Sequence, residues 1–300
     1  MKRAVLIVNP FASGVTEKGI AAVEAELERV AQVDVLLTRR PGHATTLVEQ
    51  TRATGGCGAI FVFSGDGGFN EAVNGADGVV PFGFVPGGGT SVLPRALGLP
   101  ADPVDAAAQL ADALEAGRVR RISLGRANGR RFAFSAGIGF DAAAVRRMDA
   151  QGRSSDGKRP GDVRFALEFG RMLVETRGRF DPVLEVSGHG RAAFLFVANT
   201  DPYTYVRNRP LHVSPGASFE GGLDFVAPIR VRARTLPRLF AYVASSRERD
   251  SSGDLIIGHD LDRFEVSCDR PLPLQVDGED LGDVEHAVFE AEREALAVLV

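Results

Sequence analysis

In the first part of the chain, short unbroken apolar runs alternate with segments whose apolar residues recur at helical spacing. The apolar runs predict buried strands at 3–8, 33–38, 59–64 and 79–86. The clearest helix follows Asp102, because Asp102 and Pro103 are typical of a helix start and Gly117 of a helix end. Strands that alternate with helices predict a parallel sheet covered by helices, which binds ligands at the carboxyl ends of its strands.

After residue 120 or so the pattern changes to short strands separated by turns. Asn128-Gly129, between two strand patterns, indicates a β-hairpin, and Gly188-His189-Gly190 indicates another. This half is therefore predicted to be mostly antiparallel β-sheet, with the domain boundary near 120–125. The polar segment 146–165 interrupts the strands and is predicted to be a loop, or a helix with a loop.

Composition and charge narrow the class of protein. The 300 residues carry a net charge of −4, which argues against a protein held to nucleic acid by bulk electrostatics. The two cysteines lie far apart in sequence, as is typical of reduced thiols in a cytoplasmic protein. No apolar run is long enough for a signal peptide or for a membrane-spanning segment. We therefore expect a cytoplasmic protein, with peripheral action at a membrane surface as an option.

Glycine-rich loops follow three of the predicted strands, at 9–14, 64–68 and 86–91. Glycine lets backbone N–H groups approach an anion closely, and the helix that follows each loop adds a favourable dipole. Three such loops at one sheet edge predict a ligand rich in phosphate, although each glycine alone also suits a tight turn. Neither a Walker P-loop nor the dinucleotide-binding glycine pattern is present.

Asp66 stands inside the second of these loops, where a bare carboxylate would repel a phosphate. Its place is understandable if it faces Mg²⁺, or if it takes part in acid–base chemistry beside the phosphates. The alternative is that Asp66-Gly67 only forms a turn.

Several segments resemble one known family. SGDGGFNEAVNG (64–75) resembles the signature of the diacylglycerol kinase catalytic-domain family, which includes bacterial lipid kinases and sphingosine kinases. NPFASG (9–14) and PGGGTSVLPRALGLP (86–100) resemble further elements of its first domain. FSAGIGFDAAA (134–144), ASFEGGLDFV (217–226) and VDGED (276–280) resemble elements of its second domain. The matches come in the family's order and extend over nearly the whole chain.

The resemblance implies a fold and an activity. The fold is an α/β N-terminal domain with a parallel sheet like those of phosphofructokinases and NAD kinases, followed by an antiparallel β-rich C-terminal domain. The first would bind nucleotide and comprise 1–122, with 290–300 as a returning strand; the second would bind lipid and comprise 123–289. The active site would lie in the cleft between them. The activity would be ATP- and Mg²⁺-dependent transfer of the γ-phosphoryl group to the hydroxyl of diacylglycerol or a sphingoid-type lipid.

The resemblance also implies which residues bind the nucleotide. Thr38, at the end of the second strand, is included, although it also suits an ordinary strand end. Lys158, Arg159 and Arg164 would reach the phosphates from the polar segment, or would form a solvated basic loop attracted to anionic lipid. The predicted nucleotide-binding residues are Asn9, Pro10, Ser13, Gly14, Thr38, Gly65, Gly67, Gly68, Asn70, Glu71, Gly88, Gly89, Thr90, Lys158 and Arg164.

Acidic residues supply the predicted catalytic and metal-binding groups. Asp66 is expected to contact Mg²⁺ or the reacting hydroxyl. The resemblance makes Glu279 the preferred base with Asp277 next, although Asp277-Gly278 is also a turn signal. Glu220 and Asp224 lie where the family has acids that bind a structural Mg²⁺, and Glu220 differs from the commoner Asp.

Three positions depart from the family pattern. Gly68 and Gly89 stand where the family carries a hydroxyl residue, and Ser91 stands where it carries Asn. These departures keep open a relative that binds nucleotide or lipid without catalysis. An NAD kinase-like enzyme, a class that shares a G-G-D-G loop, is a second alternative. The expected partner is a lipid substrate at a membrane surface, with no nucleic acid and with a homodimer as an option.

Overall fold

The computed structural model describes residues 2–150, 162–206, 209–245 and 253–300. The chain forms two compact units, one of residues 1–122 with 294–300 and the other of residues 123–293. The chain passes from one unit to the other within strand β5 (Val119–Ala127) and again within strand β16 (Glu279–Leu299). No helix among the described residues is long and apolar enough to cross a membrane.

The first unit is built on a parallel sheet. Its strands run in the order β4-β3-β1-β2, and the end of β16 pairs with β4 at Val298 and Phe82. Helix α1 packs on α5, and α2 packs on α3. The elements are β1 (Lys2–Val8), α1 (Glu17–Glu28), β2 (Ala31–Leu37), α2 (His43–Thr54), β3 (Cys57–Ser64), α3 (Asp66–Gly75), β4 (Phe82–Pro86), α4 (Val92–Ala96) and α5 (Pro103–Ala116).

The local sequence accounts for these elements. The central strands β1, β3 and β4 are almost entirely buried, as their unbroken apolar runs predict. Helix α5 begins where Asp102 Oδ1 accepts hydrogen bonds from the amides of Val104 and Asp105, at 2.8 and 3.1 Å. It ends at Gly117, whose φ of 66° lies in the left-handed region. The predicted helix and the predicted parallel sheet are therefore confirmed.

Among its described residues, the second unit contains antiparallel strands and three α-helices. Its main sheet runs in the order β14-β13-β10-β7-β15-β16, and β11 pairs separately with β12. Its elements, after β5, are β6 (Arg130–Phe132), β7 (Ser135–Ile138), α6 (Phe140–Ala150), α7 (Asp162–Glu175), β8 (Leu184–Val186), β9 (Gly190–Ala192), β10 (Leu195–Ala198), β11 (Thr204–Val206), β12 (Arg209–Leu211), β13 (Leu223–Pro228), a 3-10 turn (Ala233–Thr235), α8 (Leu236–Val243), β14 (Leu255–Leu261), β15 (Arg263–Val276) and β16.

Turn residues define the hairpins of this unit. Asn128 and Gly129, with φ of 47° and 87°, join β5 to β6, and the turn at Gly188 joins β8 to β9. Both predicted hairpins are confirmed. The predicted segment 146–165 contains the end of α6 and the start of α7, while residues 151–161 lie outside the described part of the chain. That the active site lies between the two units stays a prediction.

Candidate phosphate-binding edge and candidate acids

Strands β1, β3 and β4 end beside one another. Val8 pairs with Phe63 and Ser64 pairs with Pro86, so the carboxyl ends of these parallel strands share one edge of the sheet. The amide of Asn9 donates to Phe63 O at 3.0 Å, which holds the start of the first loop against β3. The three glycine-rich loops therefore lie side by side in the first unit.

Backbone contacts join these loops to one another. The Gly14 amide donates to Gly87 O at 2.8 Å, and the Gly87 amide donates to Ser64 O at 2.7 Å. A Cβ added to Gly88 would lie 2.8 Å from the Cα of Gly65, so a side chain at position 88 would not fit unless the backbone moved. The backbones of the three loops therefore lie close together, and the amides of Gly14 and Gly87 are used to join them.

Asp66 lies in the first turn of α3, directly after this edge. Its Oδ1 accepts a hydrogen bond from the Leu93 amide at 3.3 Å, which ties the second loop to the start of α4. The side chain is only partly buried. Asp66 thus lies at the predicted edge, within reach of solvent.

Gly68 is a glycine for a steric reason that the sequence does not reveal. A Cβ at position 68 would lie 2.0 Å from Ser64 Oγ and 2.8 Å from Ser64 Cβ. The hydroxyl of Ser64 is buried and has no hydrogen-bond partner among the described residues. Ser64 therefore fills the space that a larger residue at position 68 would require. At Gly89, by contrast, an added Cβ would meet nothing within 4 Å.

Several predicted nucleotide-binding residues have contacts within the protein. Glu71 Oε2 accepts a hydrogen bond from the Ala44 amide at 3.1 Å, so its carboxylate lies at the N-terminus of α2. Asn70 is fully buried and its backbone carbonyl accepts from Asn74 Nδ2. Thr38 is buried at the end of β2, where its amide donates to Val8 O. The contacts of Glu71 and Asn70 favour structural roles over direct contact with a nucleotide.

Exposure separates the remaining predicted residues of this edge. Gly14, Pro10 and Ser13 are exposed on the first loop, and Gly89 is exposed on the third. Asn9, Gly65, Gly67, Gly88 and Thr90 are partly exposed. Lys158 and Arg159 lie outside the described residues, and Arg164 lies in α7 with its side chain outside the description. Their predicted contact with phosphate stays a prediction.

Asp277 occupies the turn between β15 and β16, and its carboxylate is directed inward. Its Oδ1 accepts hydrogen bonds from the amides of Phe134 and Ser135, and its Oδ2 accepts from the Ala133 amide at 2.7 Å. The residue is 3% exposed. These contacts anchor the segment before β7 and do not fit the prediction of Asp277 as the second candidate base. The alternative interpretation from the sequence, a turn residue, agrees with the structure.

Glu279 is the first residue of β16 and is partly exposed. One Arg130 nitrogen lies 3.7 Å from Glu279 Oε2. Glu279 follows directly after the turn that Asp277 anchors, so the hydrogen bonds of Asp277 help to fix the backbone at the start of β16.

A buried polar cluster, which sequence reasoning missed, supports the same turn. Gln275 Oε1 accepts from the Gly278 amide at 2.9 Å, and Gln275 Nε2 donates to Asp141 Oδ2 at 2.9 Å. Tyr203 also donates to Asp141 Oδ2, at 2.7 Å. Burial raises the pKa of the Asp141 carboxyl above its ordinary value of 3.8, although the hydrogen bonds from Tyr203 and Gln275 oppose the shift. Asp141 lies in the family-like segment 134–144, but nothing in the sequence places it beside Gln275.

Asp224, predicted to bind a structural metal, is buried among other partners. Its Oδ2 accepts from Ser214 Oγ at 2.5 Å and contacts His259 Nδ1 at 2.8 Å, while its Oδ1 accepts from the Asp260 amide. Glu220 is exposed. Within the described ranges, no three His, Cys, Asp or Glu side chains are grouped so that they could hold a metal ion. The metal role of Glu220 and Asp224 stays a prediction.

The fold and the edge of the first unit define a class of protein. A parallel α/β sheet with three glycine-rich loops at the carboxyl ends of its strands, and a helix N-terminus at one of them, is suited to binding phosphate groups. Residues 3–127 match the diacylglycerol kinase catalytic domain family. The resemblance to the diacylglycerol kinase catalytic-domain family is thus confirmed over this part of the chain.

One curated relative supports the match. A Streptococcus pneumoniae protein named "Putative lipid kinase" is 28% identical over 165 residues, an alignment that covers 52% of this chain and 53% of the relative. The matched region therefore spans about half the length of that relative.

Solved structures extend the likeness of the fold to the whole chain. A diacylglycerol kinase from Bacillus anthracis str. Sterne superposes with a TM-score of 0.72 at 18% identity, over 99% of this chain and 96% of that one. An NAD kinase from Archaeoglobus fulgidus, solved in complex with ATP, superposes with a TM-score of 0.53 at 13% identity, over 99% and 93% of the two chains. The predicted fold class is confirmed.

Proposed function

We propose that this protein is an ATP-dependent lipid kinase that transfers the γ-phosphoryl group to a lipid hydroxyl, on diacylglycerol or a sphingoid-type lipid. The observation that carries the proposal is the edge of the first unit, where three glycine-rich loops meet beside Asp66 within the region that matches the family. Phosphoryl transfer depends mainly on positioning and on charge stabilisation, and in this proposal other amides of these loops would contribute to both.

In this proposal the loops 9–14, 64–68 and 86–91 hold the nucleotide phosphates. The close approach of Gly65 and Gly88 supports this role, because a Cβ at position 88 would fill the space beside the backbone of the second loop. The N-terminus of α3 adds a favourable partial charge for an anion. Ser13 in the first loop, Thr38 after β2 and Thr90 in the third loop carry hydroxyls that would add contacts in this proposal.

Asp66 would hold Mg²⁺ in this proposal. Protein sites commonly bind Mg²⁺ through one or two carboxylates together with substrate phosphates and waters, so a single aspartate beside a phosphate-binding edge fits that donor set. Bound Mg²⁺ would neutralise charge on the phosphates. The carboxylate of Asp66 also orients the loop through its hydrogen bond from the Leu93 amide.

Glu279 is the proposed base for the lipid hydroxyl, and the family resemblance is what assigns this role. Its partial exposure supports the assignment, because a base must reach its substrate, whereas the carboxylate of Asp277 is enclosed by three backbone amides. A positively charged nitrogen of Arg130 lies 3.7 Å from Glu279 Oε2, beside the proposed base.

A substrate panel tests the proposal. The purified chain is incubated with γ-labelled ATP, Mg²⁺ and, in separate reactions, diacylglycerol, sphingosine, ceramide or NAD, and the label in each acceptor is measured. We expect label in one of the lipids and none in NAD. Binding of ATP without transfer to any acceptor would support a non-catalytic relative and would contradict the proposal.

An NAD kinase-like enzyme is the second candidate. The superposition with the Archaeoglobus fulgidus NAD kinase favours it, because that protein was solved with ATP and has the same fold. Formation of labelled NADP in the panel would establish this alternative and overturn the lipid kinase.

A further inference from the structure

Helix α8 is an apolar helix on the surface of the second unit. Its sequence, LPRLFAYV, has six apolar residues among eight, and none of them is buried. Leu236, Leu239 and Tyr242 pack partly against a core cluster beneath the helix. Phe240 is 49% exposed, so the outer face of the helix carries a large apolar side chain.

The end of α7 carries a second exposed apolar side chain and leads into a turn that packs on α8. A Cβ at Gly178 would lie 2.9 Å from Leu236 Cδ1, so the turn that follows α7 packs directly against α8. Val174, in the last turn of α7, is 78% exposed, and its carbonyl accepts from the Arg177 amide. We call residues 174–181 and 230–240 the α7–α8 surface.

Arginine dominates the charged groups of the α7–α8 surface. It has six arginines but only two acidic residues, Glu175 and Asp181. Glu175 pairs with Arg147, outside the surface, and Asp181 is shared by Arg230 and Arg232. Arg238 lies 3.4 Å from Asp254, which is also outside the surface. The arginines are Arg177, Arg179, Arg230, Arg232, Arg234 and Arg238. In a chain of net charge −4, this surface is a local concentration of positive charge.

We propose that the α7–α8 surface docks the protein on a membrane that contains anionic lipid. Exposed apolar side chains enter the boundary between headgroups and acyl chains, while the surrounding arginines attract anionic headgroups. An acidic protein would satisfy the arginines but would offer no apolar partner to the exposed side chains of Phe240 and Val174. The inference rests on the proposed function, since a kinase that acts on lipid must reach its substrate in a bilayer.

Vesicle sedimentation without nucleotide tests this proposal. Vesicles of equal parts phosphatidylglycerol and phosphatidylcholine are compared with vesicles of phosphatidylcholine alone, at low and high salt. We expect binding to the anionic vesicles only, and weaker binding as salt rises. Arg234→Ser should weaken binding about fivefold, because each basic residue near such a surface contributes about 1 kcal/mol. Phe240→Ser should weaken it at least as much.

Matched changes elsewhere provide the controls. Lys18→Ser and Val79→Ser remove an exposed basic and an exposed apolar residue from the first unit, and we expect neither to alter vesicle binding. If Phe240→Ser has no effect while Arg234→Ser weakens binding, the surface attracts polyanions by charge alone. An acidic protein would then be the better partner, and the assignment to lipid would be wrong. Equal binding to both kinds of vesicle would also overturn the proposal.

Kinase activity on a short-chain, monomeric diacylglycerol separates this proposal from the proposed function. Activity on that substrate without vesicle binding would contradict the docking proposal and support the proposed lipid kinase activity. Vesicle binding without transfer to any lipid would keep the docking surface and contradict the kinase.

Discussion

The side chain of Ser64 occupies the space beside Gly68, so it limits the size of the residue that fits at position 68. Position 68 is where the chain departs from its family, and the sequence alone suggests a lost hydroxyl there. The structure adds that Ser64 Oγ lies 2.0 Å from where a Cβ at 68 would stand. A sequence pattern cannot predict this relation, because it depends on how the end of β3 turns into α3.

Gly68→Thr should therefore destabilise the protein, despite making the loop more like its family. Overpacking of this kind costs about 1–3 kcal/mol. The double variant Ser64→Gly/Gly68→Thr should recover most of that loss, because it removes the obstructing side chain. The free energy of unfolding in urea measures both effects.

Gly89→Thr is the matched control, because an added Cβ meets nothing within 4 Å there. We expect its stability to stay near that of the unmodified chain. An additive double variant, with no recovery, would show that Ser64 and Gly68 are not sterically coupled.

Asp141→Asn should change how stability depends on pH. Burial raises the pKa of Asp141, so the folded protein keeps this proton to a higher pH than the unfolded chain does. The stability that protonated Asp141 contributes is fully present below the pKa of this carboxyl in the unfolded chain. It is lost as pH rises through the pKa of the carboxyl in the folded protein. Asparagine resembles the protonated acid, so the variant should lose less stability than the unmodified chain as pH rises from acidic to neutral. Chemical unfolding at several pH values measures the free energy of unfolding of each protein. For Asp112→Asn, an exposed control, we expect a curve of this free energy against pH that runs parallel to that of the unmodified chain. A parallel curve for Asp141→Asn would contradict this account.

At the scale of elements, the β15–β16 turn separates a structural acid from a candidate catalytic acid two residues later. Asp277 accepts three backbone hydrogen bonds, while Glu279 is partly exposed. The sequence places both in one short motif and ranks Glu279 above Asp277, but it does not reveal the direction of either side chain.

Paired variants of this turn test the separation. Asp277→Ala leaves three buried amides without their acceptor and should destabilise the protein by at least about 2 kcal/mol. Glu279→Ala should change stability by less than about 0.5 kcal/mol, as is usual for surface positions, yet reduce phosphoryl transfer about 100-fold. Thermal unfolding and initial rates measure the two effects. Full activity in Glu279→Ala would remove it from the mechanism.

Elements with strong local signals were predictable from the sequence. The unbroken apolar runs located the parallel strands, and Asp102, Pro103 and Gly117 located a helix almost to the residue. Asn128-Gly129 located a hairpin for the same reason, since few residues adopt the required backbone angles. The contact between Asp141 and Gln275 was not predictable, because 134 residues separate them and no local pattern links them.

For the whole molecule, the sequence indicated the two-part architecture and the shared edge of three loops. Parallel strands that end together must bring their following loops together, so this part of the candidate site follows from topology. The inward direction of Asp277 and the occupied oxygens of Asp224 depend on tertiary packing and emerged only from the structure.

The central claim is that the edge around Asp66 supports transfer of phosphate from ATP to a lipid. The most direct measurement is the rate at which label from γ-labelled ATP enters the lipid fraction, for the unmodified chain, Asp66→Ala and Asp112→Ala. Asp112 is an exposed aspartate on α5, away from the loops, and serves as the control. We expect transfer by the unmodified chain and by Asp112→Ala, and at least a ~100-fold lower rate for Asp66→Ala. Equal rates in all three proteins, or no label in lipid from the unmodified chain, would contradict the account.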